Sequence, residues 1–327
     1  MSAPELSVVV PVYGCGPCLE ALQRRLVASL TSFSGRFELL YVDDRSPDDA
    51  WAVIQELARG DRRVRAMRLS RNFGQHAAIT AGLTHARGQF VVVMDCDLEE
   101  PPELIPQLYA KASQGYEVVH GVRSKRRHGR LRRWGSRLYR YLMLEAEPHG
   151  EYGTLTLLSR KVVDAFLGMR DRDREYLLML DWLGFSHACV EFEHGERHSG
   201  GSAYTPRRLL RVAMDGMFFR TTVLLRVIVL LGFSIAICGA GLAVYNVLEY
   251  AAGHSPRGYT SLAVLLLLLS GFILISLGVV GLYVGRIFDQ VKSRPLFIVD
   301  EQVNFDGPAG GSAAAEPAGS AATPVGE

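Results

Sequence analysis

The sequence predicts an α/β domain built on a mostly parallel, doubly wound sheet, followed by two apolar helices of membrane-spanning length. Three observations carry this reading. Short runs rich in Val, Leu and Phe alternate with helical periodicities through residues 6–122. Acidic and amide side chains gather where those runs end, at 43–44, 70–75 and 95–97. Two late segments, Val227–Leu248 and Ser261–Gly285, hold no Asp, Glu, Lys or Arg, and each exceeds the roughly 18–20 residues a helix needs to cross a bilayer.

The predicted strands are LSVVVPV (6–12), FELLYVD (37–43), VRAMRLS (64–70), QFVVVMD (89–95) and YEVVHGV (116–122). Between them CLEALQRRLVASL (18–30), DDAWAVIQELARG (48–60), GQHAAITAGLTHA (74–86) and PELIPQLYAKASQ (102–114) repeat apolar residues at helical spacing. Strand–helix alternation of this kind builds parallel sheets. Their ligands bind beyond the carboxyl ends of the strands.

Residues 123–140 are strongly basic, with Arg123, Lys125, Arg126, Arg127, Arg130, Arg132, Arg133, Arg137 and Arg140 interleaved with Trp134, Leu138 and Tyr139. A solvated loop and a nucleic-acid contact are two readings of such a run. Ahead of an apolar hairpin a third gains weight, a surface meeting anionic headgroups or an anionic lipid. No nucleic-acid partner is expected. Residues 206–222 read as a juxtamembrane amphipathic helix and 223–286 as a hairpin whose linker, Glu249–Thr260, carries Pro256 and Gly258. Arg207, Arg208, Arg211, Arg220 and Arg226 precede the first span, and Arg286, Lys292 and Arg294 follow the second. The linker offers only Arg257 and His254, so both chain ends are expected in the cytoplasm. Residues 287–306 form a cytoplasmic C-terminal segment, and the low-complexity tail 307–327 is expected to be disordered.

Five cysteines (Cys15, Cys18, Cys96, Cys189 and Cys238) are odd in number and scattered, which excludes a disulfide framework and fits a reducing compartment. The start, MSAPE, lacks the basic residues of a signal peptide. Cys15-Gly16-Pro17-Cys18 between a strand and a helix has the pattern of a thiol–disulfide oxidoreductase. The alternative is that Gly16-Pro17 merely start the helix, with Pro near its first position.

Asp95-Cys96-Asp97 is an Asp-x-Asp at a strand end. Two carboxylates so spaced can hold Mg²⁺ or Mn²⁺ through hard oxygens, with phosphate oxygens completing the shell. The pair alone is a weak signal. It strengthens at the end of the fourth strand, with Asp43-Asp44 at another strand end.

The ordered series PVY (11–13), DDRSPD (43–48), SRNFGQHAAITAGL (70–83), MDCDLEEPPE (94–103), LSRKVVDA (158–165), GERHSGGSAY (195–204) and VGLYVGRIFDQVKSRPLFIV (280–299) resembles glycosyltransferase family 2. More narrowly it resembles the polyprenyl-phosphate branch, which includes dolichyl-phosphate mannose synthase and bactoprenol glucosyltransferase. The likeness covers residues 6–300 and is specific for the family, not for the sugar. It implies a Rossmann-like GT-A catalytic domain over 1–205 on the cytoplasmic face of a bacterial inner membrane. The implied reaction is inverting, metal-dependent transfer from a nucleotide sugar, a UDP-sugar by likeness to bacterial relatives, to polyprenyl phosphate. A homo-oligomer, such as a tetramer, is also implied.

By position the resemblance implies that Pro11, Val12, Tyr13, Asp43 and Asp44 line the base and ribose site. Asn72, Gly74, Gln75 and Cys96 would lie near the donor. Asp95, Asp97 and Glu99 would serve the metal and diphosphate. Arg123, Arg137, Arg197 and Ser202 would grip the acceptor phosphate, a task suited to the forked donors of arginine.

Two departures stand out. Relatives often carry Asp-Phe-Arg where this chain has Thr154-Leu155-Thr156, and two lysines where it has Gly201 and Ala203. The first loss is tolerable, because a phosphate monoester with a second pKa near ~6 is already deprotonated. Together the departures motivate one alternative, a nucleotide-binding membrane scaffold without turnover. A membrane-tethered redox protein using Cys15 and Cys18 is the other.

Overall fold

A computed structural model of the 327-residue chain describes residues 4–33, 35–123, 152–172, 174–192, scattered helical positions between 228 and 252, 258–292 and 294–305. The chain divides into two compact units, Met1–Arg127 with Pro148–Ser199 and Arg294–Glu327, and His128–Glu147 with Gly200–Ser293.

The first unit is an eight-stranded sheet flanked by helices. Its elements are β1 (Leu6–Val12), α1 (Gly16–Thr31), β2 (Phe37–Asp43), α2 (Ala50–Gly60), β3 (Val64–Leu69), α3 (Gln75–His85), β4 (Phe90–Val93), a 3₁₀ turn (Pro102–Leu104), α4 (Ile105–Ala112), β5 (Val118–Arg123), β6 (Tyr152–Ser159), α5 (Arg160–Gly168), α6 (Tyr176–Leu183), β7 (His187–Phe192) and β8 (Val299–Val303). The strand order is β7-β5-β6-β4-β1-β2-β3-β8. Strands β4, β1, β2 and β3 run parallel, as does β5 with β7. The α/β fold with a mostly parallel sheet thus stands as expected. The sheet is nevertheless mixed: β6 is antiparallel to both β4 and β5, and β8 is antiparallel to β3.

Every residue of β1 and β2 is buried, because helices cover both faces of the central strands. Alternation along β1 sorts the core. Leu6, Val8, Val10 and Val12 pack with Leu19, Leu22 and Leu26 of α1, Ile54 of α2 and Leu108 of α4. Val9 packs on the other face with Ile79 and Leu83 of α3, Phe166 of α5 and Leu180 of α6. A third cluster joins Val42, Met67 and Leu69 to Phe297 of the returning C-terminal segment.

That return is the feature the strand pattern did not predict. β8 closes the β3 edge, and Arg45 pairs with Asp300 at 2.7 Å. The indole of Trp51 donates to Glu301 at 3.2 Å. Asn304, at φ +61°, donates through Nδ2 to the carbonyls of Ala58 at 2.6 Å and Val64 at 2.8 Å. Asparagine tolerates this left-handed conformation better than most residues.

In the second unit α7 (Tyr259–Val291) runs unbroken for 33 residues, about 50 Å at 1.5 Å per residue. A methyl group built on Gly232 would stand 3.4 Å from the Phe272 ring. Among the described residues no helix is long and apolar enough to cross a membrane. Much of the predicted first span, and the side chains at several positions of α7, lie outside the described residues.

Candidate active site

The carboxyl ends of β1, β2, β3 and β4 share one edge of the sheet, because these four strands are parallel neighbours. The loops leaving that edge carry the predicted donor-site residues.

Pro11 and Val12 are buried inside β1, opposite Val42 and Asp43, while Tyr13 beyond the strand is exposed. Asp43 is fully buried, accepts the Ser46 N–H at 3.0 Å and lies 3.1 Å from Arg68. Asp44 turns towards the loop after β3, its two oxygens accepting the N–H groups of Phe73 at 2.7 Å and Gly74 at 2.8 Å. Burial raises its pKa while those two backbone bonds oppose the rise. Gly74, at φ +97°, adopts a conformation that side chains disfavour, and α3 starts directly after it. Asn72 in the same loop is exposed. The first residue of α3, Gln75, is thereby set to donate through Nε2 to Asp95 Oδ1 at 2.7 Å.

Asp95 follows β4 and is held from three sides. Gln75 takes one carboxylate oxygen, Thr154 Oγ1 donates to the other at 2.9 Å, and its own N–H points at Glu100 Oε2 at 3.4 Å. Burial raises its pKa to about 6, the Thr154 hydrogen bond opposes that rise, and the nearby Asp97 charge adds to it. Asp97 is exposed, and its Oδ1 accepts the Glu99 N–H at 3.0 Å. Leu98 between them has φ +62°, which turns the chain sharply.

Glu100 points the other way, into the protein. It is 2 % exposed and accepts the Leu155 N–H at 3.0 Å. Burial, and then the Asp95 charge, lift its pKa to about 7. Sequence reasoning missed Glu100. Nothing in Glu99-Glu100 marks which of two adjacent glutamates is buried, and the fold makes the distinction. Thr154, read from sequence as a departure, is a direct partner of Asp95.

Among the described residues no three His, Cys, Asp or Glu side chains converge as a preformed metal cluster. Such a cage is not required. Mg²⁺-type sites commonly use one or two carboxylates and fill the rest of the shell with substrate phosphates and water. The hard oxygens of Asp95, Asp97 and Glu99 suit that pattern.

Cys15, Cys18 and Cys96 are free thiols. Cys15, just before α1, hydrogen-bonds Cys96, and that contact lowers the Cys15 pKa while raising that of Cys96. The α1 N-terminus takes its partner from elsewhere, with the Gly16 N–H donating to Asp48 Oδ2 at 2.9 Å. Arg123 ends β5, its backbone paired opposite Phe192 of β7. Its side chain, and all of Arg137, Arg197 and Ser202, lie outside the described residues.

The glycosyl transferase family 2 model matches residues 7–174. An undecaprenyl-phosphate 4-deoxy-4-formamido-L-arabinose transferase of Pseudomonas syringae is 36 % identical over 310 residues, covering 93 % of this chain and 92 % of that protein. An uncharacterised glycosyltransferase of Bacillus subtilis is 34 % identical over 310 residues, covering 92 % and 95 %. Among solved structures, glucosyl-3-phosphoglycerate synthase of Mycobacterium tuberculosis, with Mn²⁺, UDP and phosphoglyceric acid, is 18 % identical at a TM-score of 0.46, covering 69 % of this chain and 78 % of that one.

Proposed function

The chain belongs to glycosyl transferase family 2, and from that premise we propose that it moves a sugar from a nucleotide sugar, by preference a UDP-sugar, to polyprenyl phosphate. The observation that carries this reading is the Gln75–Asp95 hydrogen bond at the carboxyl edge of the parallel strands, where the loops bearing Tyr13 and Asp97 also begin, in a chain that aligns almost end to end with a polyprenyl-phosphate sugar transferase.

In this reading an oxygen of the acceptor phosphate attacks the anomeric carbon from the face opposite the leaving group. The new C–O bond forms as the bond to the nucleoside diphosphate breaks, and the configuration inverts. No strong base is needed, since a phosphate monoester is already ionised near neutral pH, its second pKa being ~6. Tyr13, Asn72 and the edge formed by Asp43 and Asp44 bind the nucleoside. Gln75 and Thr154 orient Asp95. Arg123, Arg137, Arg197 and Ser202 hold the acceptor phosphate against the anionic donor. Asp95, Asp97 and Glu99 would hold a divalent cation, which would supply positive charge to the diphosphate leaving group.

Residues 223–286 form the membrane hairpin in this proposal, with the catalytic unit and both chain ends on the cytoplasmic side. Support comes from the charge-free run 261–285 inside the unbroken α7 and from the basic flanks. Membranes containing the protein, given labelled nucleotide sugars and undecaprenyl phosphate, should yield a labelled lipid. Absence of product across UDP- and GDP-sugars, from protein with a native melting transition, overturns the proposal.

A further inference from the structure

Three consecutive residues of β6 act on the turn that follows β4. The antiparallel register places Val93 opposite Thr156, and continuing it by two residues sets Asp95 opposite Thr154. Thr154 donates to the Asp95 carboxylate at 2.9 Å, and Leu155 donates its N–H to Glu100 at 3.0 Å. Gly153 makes room: a Cβ there would stand 2.3 Å from Glu100 Oε1, inside any permitted contact. Glu100 accepts the Asp95 N–H with its second oxygen at 3.4 Å. One buried carboxylate therefore ties the Asp95 backbone to β6.

A carboxylate removed from water is costly unless its oxygens are hydrogen-bonded. Placing it beside Asp95 and Asp97 adds like-charge repulsion. A site selected for stability alone is better filled by an apolar side chain. The repulsion has a use where Asp95 and Asp97 must present their oxygens to a cation-bearing diphosphate.

We infer that Glu100 is a positioning residue for the Asp95–Asp97 pair and that Gly153 is the small neighbour its side chain requires. Glu100 touches no reacting group; it fixes the backbone from which Asp95 projects, while Thr154 and Gln75 fix the carboxylate. The inference rests on the proposed role of Asp95 and Asp97 at the donor diphosphate.

The test uses the full-length protein, titrated by calorimetry with Mn²⁺ and either UDP or GDP, whichever the wild type binds, beside transfer kinetics. Glu100→Gln preserves shape but turns one acceptor into a donor facing an N–H. It is expected to keep its melting temperature within a few degrees, to weaken Mn²⁺–nucleotide binding about tenfold or more, and to lower kcat while leaving the acceptor KM unchanged. Gly153→Ala, with Glu100 intact, should give the same pattern. The double variant should lose no more than the worse single one, as expected of two residues acting as one unit. Wild-type binding and kcat in both single variants overturn the inference and leave the proposed function standing. Loss of the native melting transition in both assigns Glu100 to folding alone and overturns it equally. A wild type that binds neither nucleotide and makes no product overturns the proposed function, and the inference with it.

Discussion

Thr154 Oγ1 donates to Asp95 Oδ2 across 2.9 Å, joining a strand that runs antiparallel in the sheet to the acidic turn at the end of β4. The two residues are 59 positions apart in sequence. Replacing Thr154 by Val keeps volume and branching but removes the donor. A hydrogen bond to a charged group contributes ~1.5–3 kcal/mol, so kcat of Thr154→Val should fall roughly tenfold or more with little change in melting temperature. Unchanged kinetics in this variant would show that the bond does not matter to turnover.

Asp97 is exposed, and among the described residues its hydrogen bonding is local to the turn. Asp97→Ala should therefore fold normally and lose transfer by about a hundredfold or more, as ~3 kcal/mol of lost charge stabilisation implies. EDTA should suppress product formation in the wild type, with Mn²⁺ or Mg²⁺ restoring it. An assay indifferent to EDTA, or a fully active Asp97→Ala, would remove the cation from the mechanism.

The thiols beside the site should be dispensable. Cys15 and Cys18 are free, and Cys15 meets the thiols of both Cys96 and Cys18. The double variant Cys15→Ser/Cys18→Ser should retain transfer activity within about twofold, since neither thiolate serves as a nucleophile in the reaction. Abolished activity, recovered with neither serine, would reopen the redox reading.

His85 is an imidazole of the first unit whose titration should lower stability in acid. Burial holds its imidazole below the ordinary value, the Arg65 and Arg87 charges push the same way, and the bond to the Ala81 carbonyl opposes them. Its ring meets Phe305 edge-on at 5.4 Å. A depressed pKa means that the unfolded chain binds the proton more readily. This contribution to stability is therefore present above the unfolded value near 6.5 and is lost as pH falls through the lower folded value. Thermal melts from pH 7.5 down to about 5 should show a smaller decline in His85→Phe than in the wild type. Parallel curves would assign the acid sensitivity to other groups.

Asn304 anchors the returning strand through two carbonyls while holding φ at +61°. Asn304→Gly keeps the conformation but loses both bonds and should cost ~1–2 kcal/mol in urea unfolding. Asn304→Val should cost more, because a β-branched side chain is strained at positive φ. Equal midpoints for the two variants would mean that the backbone conformation plays no part.

Much of this molecule follows from local pattern. The four parallel strands β1 to β4 are visible in the sequence because a strand covered on both faces must be apolar almost throughout, as β1 and β2 are. The acids at the strand ends stand out because they interrupt those runs. Sequence order cannot tell which partners reach them. The insertion of β6 between β4 and β5, the return of β8 to the β3 edge, and the meeting of Thr154 with Asp95 all join distant segments. Local periodicity carries no record of such pairings. The division of labour between Glu99 and Glu100 is likewise tertiary. The residues are identical, and the left-handed turn at Leu98 with the space left by Gly153 settles which one is drawn inside. The amino-acid order determined the class of fold and the chemistry available at its edge; long-range packing decided which carboxylates are buried, which are presented, and by what they are held.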